Sequence, residues 1–184
     1  MPIPGPAGTF AAVTIDFGGT TARRAGPDDA EELVRLRIVM LAAMDGAPVE
    51  PGAWSERAIE SLRRRLTGPD AAIAAFVVDR PGGAGLAACA TGVVEERLGS
   101  PGNPGGLFGY VFNVATDPDC RRRGYSRACL TALLGWFGEQ GVPRVTLRAS
   151  SDGLPLYERL GFTLHAGPVM DLAVPAAAEQ GRGV

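Results

Sequence analysis

The sequence predicts an α/β domain in which helices come first, a strand meander follows, and a β-α-β-α-β series closes the chain. Three observations carry this. Apolar residues recur at helical spacing between positions 33 and 66, short apolar runs bounded by Gly and Pro follow between 72 and 94, and strand-like and helical stretches alternate from 107 onward. No internal repeat or linker interrupts the series. Residues 13–173 are therefore expected to form one domain, with a loose Pro/Gly/Ala-rich arm at 1–12 and a frayed tail at 174–184.

The first element is a short strand at 13–17. Gly26-Pro27 then opens a helix, with Pro in the first turn and Asp28, Asp29, Glu31 and Glu32 at the positive end of the dipole. Its stripe is Leu33, Leu36, Met40 and Met44. A second helix fits 55–66, with Ser55 as its cap, Ile59, Leu62 and Leu66 buried, and Gly68-Pro69 as its stop. The three arginines Arg63, Arg64 and Arg65 fall on its solvated face or a cleft rim. Two antiparallel strands suit 72–78 and 86–94, separated by Pro81-Gly82-Gly83. The nearly continuous apolar run 107–115 reads as a strand covered on both faces. Phe108, Tyr110 and Phe112 alternate along it and so share one face, as core packing or as a pocket wall. After a turn at Asp117-Pro118 come a helix over 123–138, a strand over 144–147, a short helix over 153–160, and two last strands near 162–165 and 168–173.

Composition narrows the function classes. The 184 residues are 46% hydrophobic and carry a formal charge of −2, without the basic excess of a general nucleic-acid binder. All 18 positive charges are arginines, which excludes any mechanism that needs a catalytic lysine. Three cysteines, Cys89, Cys120 and Cys129, and one histidine, His165, form no zinc set, so no metal is expected. The odd cysteine count, the absence of a signal-like start and the absence of an 18-residue apolar run lead us to expect a cytoplasmic protein with no membrane segment.

Chemistry concentrates in N-V-A-T-D-P-D-C-R-R-R-G-Y-S, residues 113–126, a buried strand and a proline turn leading through three arginines and a glycine into an amphipathic helix. The first amides of a helix lack internal partners and face the positive end of its dipole, which makes an anion site. Three crowded cations favour a diphosphate over a carboxylate there.

Downstream the chain reads L-P-L-Y-E-R-L-G-F, residues 154–162. Together the two segments resemble the GNAT superfamily of N-acetyltransferases, with its [Q/R]-x-x-G-x-[G/A] loop and its L-Y-x-x-x-G-F segment, over roughly residues 20–173. The resemblance implies a mixed, mostly antiparallel central sheet flanked by helices, with a β-α-β acetyl-CoA-binding core. It places Arg121 and Gly124 at the two strictest loop positions. The amides of Arg122, Arg123, Gly124, Tyr125, Ser126 and Arg127 would hold the pyrophosphate, and Val114, Ala115 and Thr116 the pantetheine arm, with an amide near Val114 polarising the acetyl carbonyl. Ser150 stands where many members carry a cofactor-contacting asparagine, Gly153 where they often have alanine, Ser126 in place of Gly or Ala, and Cys120 in place of a common aromatic.

The implied activity is transfer of acetyl from acetyl-CoA to a primary amine of a small molecule or peptide, by direct attack in a ternary complex. Tyr157 aligns with the family's general acid. A phenol near pKa 10 can protonate a departing thiolate of pKa about 8.5 at modest cost. For the general base, position alone offers Glu95 and Glu96, late in the strand expected over 86–94. A homodimer is an assembly that the resemblance allows. The rival reading is a GNAT-like module that holds CoA as a sensor or scaffold without turnover. D-F-G-G-T at 16–20 matches a sugar-kinase phosphate loop, but the chain is too short for the two lobes such an enzyme needs.

Overall fold

The computed structural model describes residues 15–17, 20–67, 72–165 and 167–173. The expected arm at 1–12, the tail at 174–184 and the Gly68-Pro69 stop lie outside the described residues.

Six strands lie in one sheet in their order along the chain: β1 (Ile15–Phe17), β2 (Thr20–Arg24), β3 (Ile73–Asp79), β4 (Leu86–Glu96), β5 (Leu107–Thr116) and β6 (Val145–Leu147). Every neighbouring pair is antiparallel except β5 and β6, whose parallel pairing requires a crossover, supplied by the helix α3 (Tyr125–Glu139). The first two helices, α1 (Ala30–Asp45) and α2 (Ala53–Arg65), connect β2 to β3, and a short helix, α4 (Leu154–Arg159), follows β6. This is the mixed, mostly antiparallel α/β sheet that the resemblance implies.

Two cores sandwich the sheet. On one side Leu33 and Leu36 of α1 meet Ala75, Val77, Leu86 and Cys89. On the other, Leu130, Leu133, Trp136 and Phe137 of α3 meet Phe76, Ala90 and Val111. The strands covered on both faces are accordingly β3 and the first half of β4, which are buried from Ile73 to Val78 and from Leu86 to Gly92. The expectation of double coverage for 107–115 is corrected: burial along β5 alternates, with Val111, Asn113 and Ala115 inside and Tyr110, Phe112, Val114 and Thr116 half-exposed. A bulge in its pairing with β4 turns the buried residues of β5 to both cores, Val111 toward α3 and Ala115 toward α1, and its half-exposed positions border a cleft. Phe137 packs at the junction of β4 and β5, where side chains at Gly92 and Gly109 would come within 2.7 and 2.9 Å of its ring.

Helix starts follow local chemistry. A single 3-10 turn, Pro27–Asp29, precedes α1, and the Asp29 carboxylate accepts from the Gly26 amide at 2.8 Å and from the Arg23 guanidinium at 2.7 and 2.8 Å. α1 ends at Gly46, whose φ of 68° favours glycine. α2 begins two residues before the expected position, after Gly52, so Ser55 is no cap. It sits in the first turn and reaches back, accepting from the Gly52 amide at 3.0 Å and donating to the Gly52 carbonyl at 2.7 Å.

The two expected strands at 162–165 and 168–173 are absent: the described residues there form no ladder, and no described strand covers the outer edge of β6. β6 is only three residues long, too short to template the pairing, and Leu164, Val169, Met170 and Leu172 are left exposed. Thr20–Arg24 is a strand that the periodicity did not reveal, because T-T-A-R-R buries only Ala22.

Candidate active site

Divergence of two strands creates the site. β6 pairs with β5 only from Gly109↔Val145 to Val111↔Leu147, whereas β5 runs on to Thr116. Beyond Val111 no described strand pairs with β5 on that edge, so its amides and carbonyls are available to a ligand. A bulge assists: the β4–β5 register shifts between Thr91 and Gly92, leaving Phe112 without a cross-strand partner and re-aiming the residues that follow. The gap is part of a cavity of about 1640 Å³, lined by Val114, Ala115 and Thr116 on one side and by Arg148, Ala149 and Ser150 on the other.

The loop from β5 to α3 closes one end. Asp117, 4% exposed at its side chain, bonds Arg35 of α1 at 2.8 Å and also the Arg80 guanidinium, which bonds Asp119 at 2.5 Å. Arg35 in turn donates to the Leu86 carbonyl at 2.8 Å, while Glu32 accepts from the Leu86 amide at 2.8 Å. One network thus ties α1, the β3–β4 turn and the start of the loop. The Asp117 carboxylate is the main group that raises the Arg35 guanidinium above its ordinary value.

After the 3-10 turn Pro118–Cys120, Arg122 takes a φ of 66° and Gly124 one of 80°. A left-handed conformation costs a non-glycine residue about 1 kcal/mol or more and is typical of backbone turned toward a ligand. Gly124 is the N-cap of α3, no side chain caps this end, and a Cβ on Gly124 would meet no protein atom. The first amides of α3 therefore face an open concavity at the positive end of its dipole. Arg121, Arg122, Gly124, Tyr125, Ser126 and Arg127 all line the cavity. Arg123 does not; its guanidinium donates to the Asp119 carbonyl at 3.3 Å. The Ser126 and Thr116 hydroxyls share a hydrogen bond of 2.5 Å, pinning the first turn of α3 to the end of β5. An uncapped helix start, turned amides, three arginines and a splayed strand together fit a pyrophosphate with an extended arm.

Tyr157 of α4 lines the same cavity, with its ring 6.0 Å from that of Phe162 in an edge arrangement. Burial pushes its phenol above the ordinary value of 10.0. The N-cap of α4, Gly153, leaves room for it, since a Cβ there would lie 2.8 Å from the tyrosine ring. Ser150 precedes this turn, and its hydroxyl accepts from the Gly153 amide at 3.3 Å.

The structure does not bring Glu95 and Glu96 to this wall. Glu95 pairs with Arg97 at 2.5 Å, with the Arg97 guanidinium 4.9 Å over the Phe108 ring, and Glu96 is exposed. Arg63 is likewise engaged elsewhere, with Glu31 at 2.6 Å. Sequence reasoning missed Arg37, Met40, Leu41 and Met44 of α1, which line the cavity, and Asp152, the one carboxylate on its wall among the described residues. The signal for the first four was their helical spacing, which continues past the last buried residue, Leu36. Tyr110 and Phe112 also line the cavity.

The three cysteines are buried thiols, with burial pushing Cys89 up to about 12 and Cys129 well above its ordinary value. Neither is suited to nucleophilic chemistry. Among the described residues no group of three or more His, Cys, Asp or Glu is placed to hold a metal, and no helix is long and apolar enough to cross a membrane.

The model of the acetyltransferase (GNAT) family matches residues 43–162, well over half of the chain. The chain belongs to the GNAT family. Within it, a mycothiol acetyltransferase of Corynebacterium aurimucosum is 33% identical over 120 residues, 62% of this chain and 38% of that protein. A ribosomal protein bS18-alanine N-acetyltransferase of Escherichia coli is 44% identical over 55 residues, 28% of this chain and 37% of that one. The match thus spans well under half the length of these curated relatives. Among solved structures, a predicted acetyltransferase with acetyl-CoA from Clostridium acetobutylicum superposes with a TM-score of 0.70 at 21% identity, covering 82% of this chain and 94% of that one. That likeness is one of fold.

Proposed function

We propose that this GNAT protein transfers an acetyl group from acetyl-CoA to a primary amine within a ternary complex. The observation that carries the reading is the opening between β5 and β6 beside the uncapped, arginine-flanked start of α3. Bound acetyl-CoA would supply an activated acetyl thioester. The amides of the loop and of the first turn of α3, with Arg121, Arg122 and Arg127, hold the pyrophosphate. The free edge of β5 from Val114 to Thr116 holds the pantetheine arm, and the amide near Val114 donates to the carbonyl oxygen as negative charge develops there, a contribution of about 3 kcal/mol. As the neutral amine nitrogen bonds the acetyl carbon and the carbon–sulfur bond breaks, the departing thiolate takes its proton from Tyr157, and the proton lost by the amine nitrogen passes through water to the phenolate left behind. The buried thiols have no part, and Glu95 and Glu96 do not line the cavity.

Thermal unfolding and thiol release test this. Acetyl-CoA at millimolar concentration raises Tm, and Gly124→Glu, which puts a carboxylate into the anion site, abolishes the rise. With an amine panel the wild type releases CoA thiol, and Tyr157→Phe lowers kcat about 100-fold with the KM for acetyl-CoA unchanged. An unshifted melting curve would remove the cofactor assignment. A shifted curve without thiol release from any amine would instead favour a CoA-binding module.

A further inference from the structure

The amine side of the cavity has its own chemistry. The N-terminal half of α1 is anchored by buried Leu33, Val34 and Leu36, but from Arg37 onward the helix turns half-buried and exposed side chains to the cavity. Arg37, Met40, Leu41 and Met44 are spaced three, four and seven residues apart and so share one face. Met44, 60% exposed, adds apolar surface at the outer end of this face. Tyr110 and Phe112 of β5 line the same cavity. Aromatic rings and flexible thioethers in one cavity make an adaptable apolar surface.

Charge on the wall is one-sided. Among the described residues lining the cavity are six arginines and a single carboxylate, Asp152. Arg121, Arg122 and Arg127 belong to the α3 start, Arg159 ends α4, and Arg148 pairs with Asp171 at 3.2 Å. Arg37 alone of these six comes from α1, and it has no ion pair among the described residues. With Arg121, Arg122 and Arg127 given to the pyrophosphate and Arg148 to Asp171, the wall left for the acceptor carries Arg37 and Arg159 against Asp152, a balance that does not favour a polycation. A neutral apolar amine would leave the half-buried Arg37 without a counter-ion, whereas a carboxylate would satisfy it through charge-assisted hydrogen bonds.

We infer that the acceptor is a small apolar amine bearing a carboxylate, an α-amino acid with an aromatic or long aliphatic side chain, held between α1 and β5 with its carboxylate on Arg37. The inference rests on the acetyl-transfer reading above for the use made of the amine, but the binding preference can be measured without turnover.

The test measures binding of phenylalanine, phenethylamine, glycine and spermidine to the CoA-saturated protein by calorimetry, with thiol release from acetyl-CoA followed separately. Phenylalanine binds tightest. Loss of the carboxylate in phenethylamine weakens binding about tenfold, glycine loses at least as much, and spermidine gives no measurable heat. Arg37→Gln abolishes the difference between phenylalanine and phenethylamine while leaving CoA affinity intact, and Met44→Ser weakens both aromatic amines alike. Tighter binding of spermidine than of phenylalanine overturns the inference, as does discrimination that survives Arg37→Gln. A loss of CoA affinity in that variant also overturns it, by assigning Arg37 to the cofactor. Phenylalanine binding with the expected discrimination but no thiol release leaves the ligand class standing and overturns the acetyl-transfer reading instead.

Discussion

Burial of the Tyr157 phenol disfavours its phenolate, so the residue stays protonated through neutral and mildly alkaline pH. A phenol above pKa 10 protonates a thiolate of ordinary pKa about 8.5 uphill by roughly 2 kcal/mol or more, which is small beside a chemical barrier. The sign of the shift fixes the direction of the pH effect. Because the folded value lies above 10.0, the midpoint for loss of the acid lies above pH 10, and the kcat profile falls to half only beyond that point. Stopped-flow thiol release from pH 7 to 11 shows an alkaline limb with its midpoint above 10 in the wild type and none in Tyr157→Phe. A limb near 8 would assign the titration to another group. Tyr157 and Arg121 were legible as residues because each sits in a motif, L-Y-x-x-x-G-F or R-x-x-G-x-S. Arg37 and Asp152 were not, since a single charge on a helix or loop carries no local signal of the cavity it faces.

At the scale of elements, the anion loop is held by its neighbours as much as by its own sequence. Asp117 joins Arg35 of α1 and Arg80 beyond β3, and the loop amide of Cys120 donates to the Asp117 carbonyl at 2.9 Å. Asp117→Asn keeps the shape and removes the charge that both guanidiniums face. Breaking a fully buried pair costs about 3–5 kcal/mol; with Arg35 39% exposed the expected loss here is nearer 2 kcal/mol, read from denaturant unfolding. The same variant raises the KM for acetyl-CoA severalfold with kcat largely kept, because the displaced loop binds the pyrophosphate less well while Tyr157 stays in place. Equal losses in kcat and kcat/KM would show that the network acts on the chemical step. Most elements were visible as periodicity: α1, α2, α3 and α4 and strands β3 to β6 lie within a few residues of where apolar spacing and Gly/Pro breaks put them. The second strand was hidden because an edge-side segment with one buried residue has no apolar alternation. The two last strands were over-read, because alternating apolar residues suggest a ladder whether or not a partner strand is long enough to take it.

For the whole molecule, acid sensitivity is set by carboxylates that bind the first helix to the sheet. Burial pushes Asp29 and Glu32 up, but guanidinium partners and backbone amides outweigh it, Arg23 and Gly26 for Asp29 and Arg35 and Leu86 for Glu32, so both lie below their ordinary values of 3.8 and 4.5. A carboxylate depressed in the folded state contributes stability that is complete above its unfolded value and is lost as pH falls through the folded one. Tm therefore holds down to about pH 5 and declines progressively below it, and Glu32→Gln flattens part of that decline in scanning calorimetry. An unchanged slope in that variant would take Glu32 out of the account.

The sequence by itself determined the helix and strand periods, the arginine–glycine loop for which we propose the pyrophosphate, and the tyrosine after it, because each is written in residues close along the chain. It also determined that every cation is an arginine. Tertiary structure decided what lies near these residues: that β5 leaves β6 after Val111, that Glu95 is spent on Arg97, and that the second half of α1 lines one cavity with Tyr110 and Phe112. The first joins segments about 36 residues apart and the last segments about 70 apart, and no local pattern records a contact that only packing across the sheet creates.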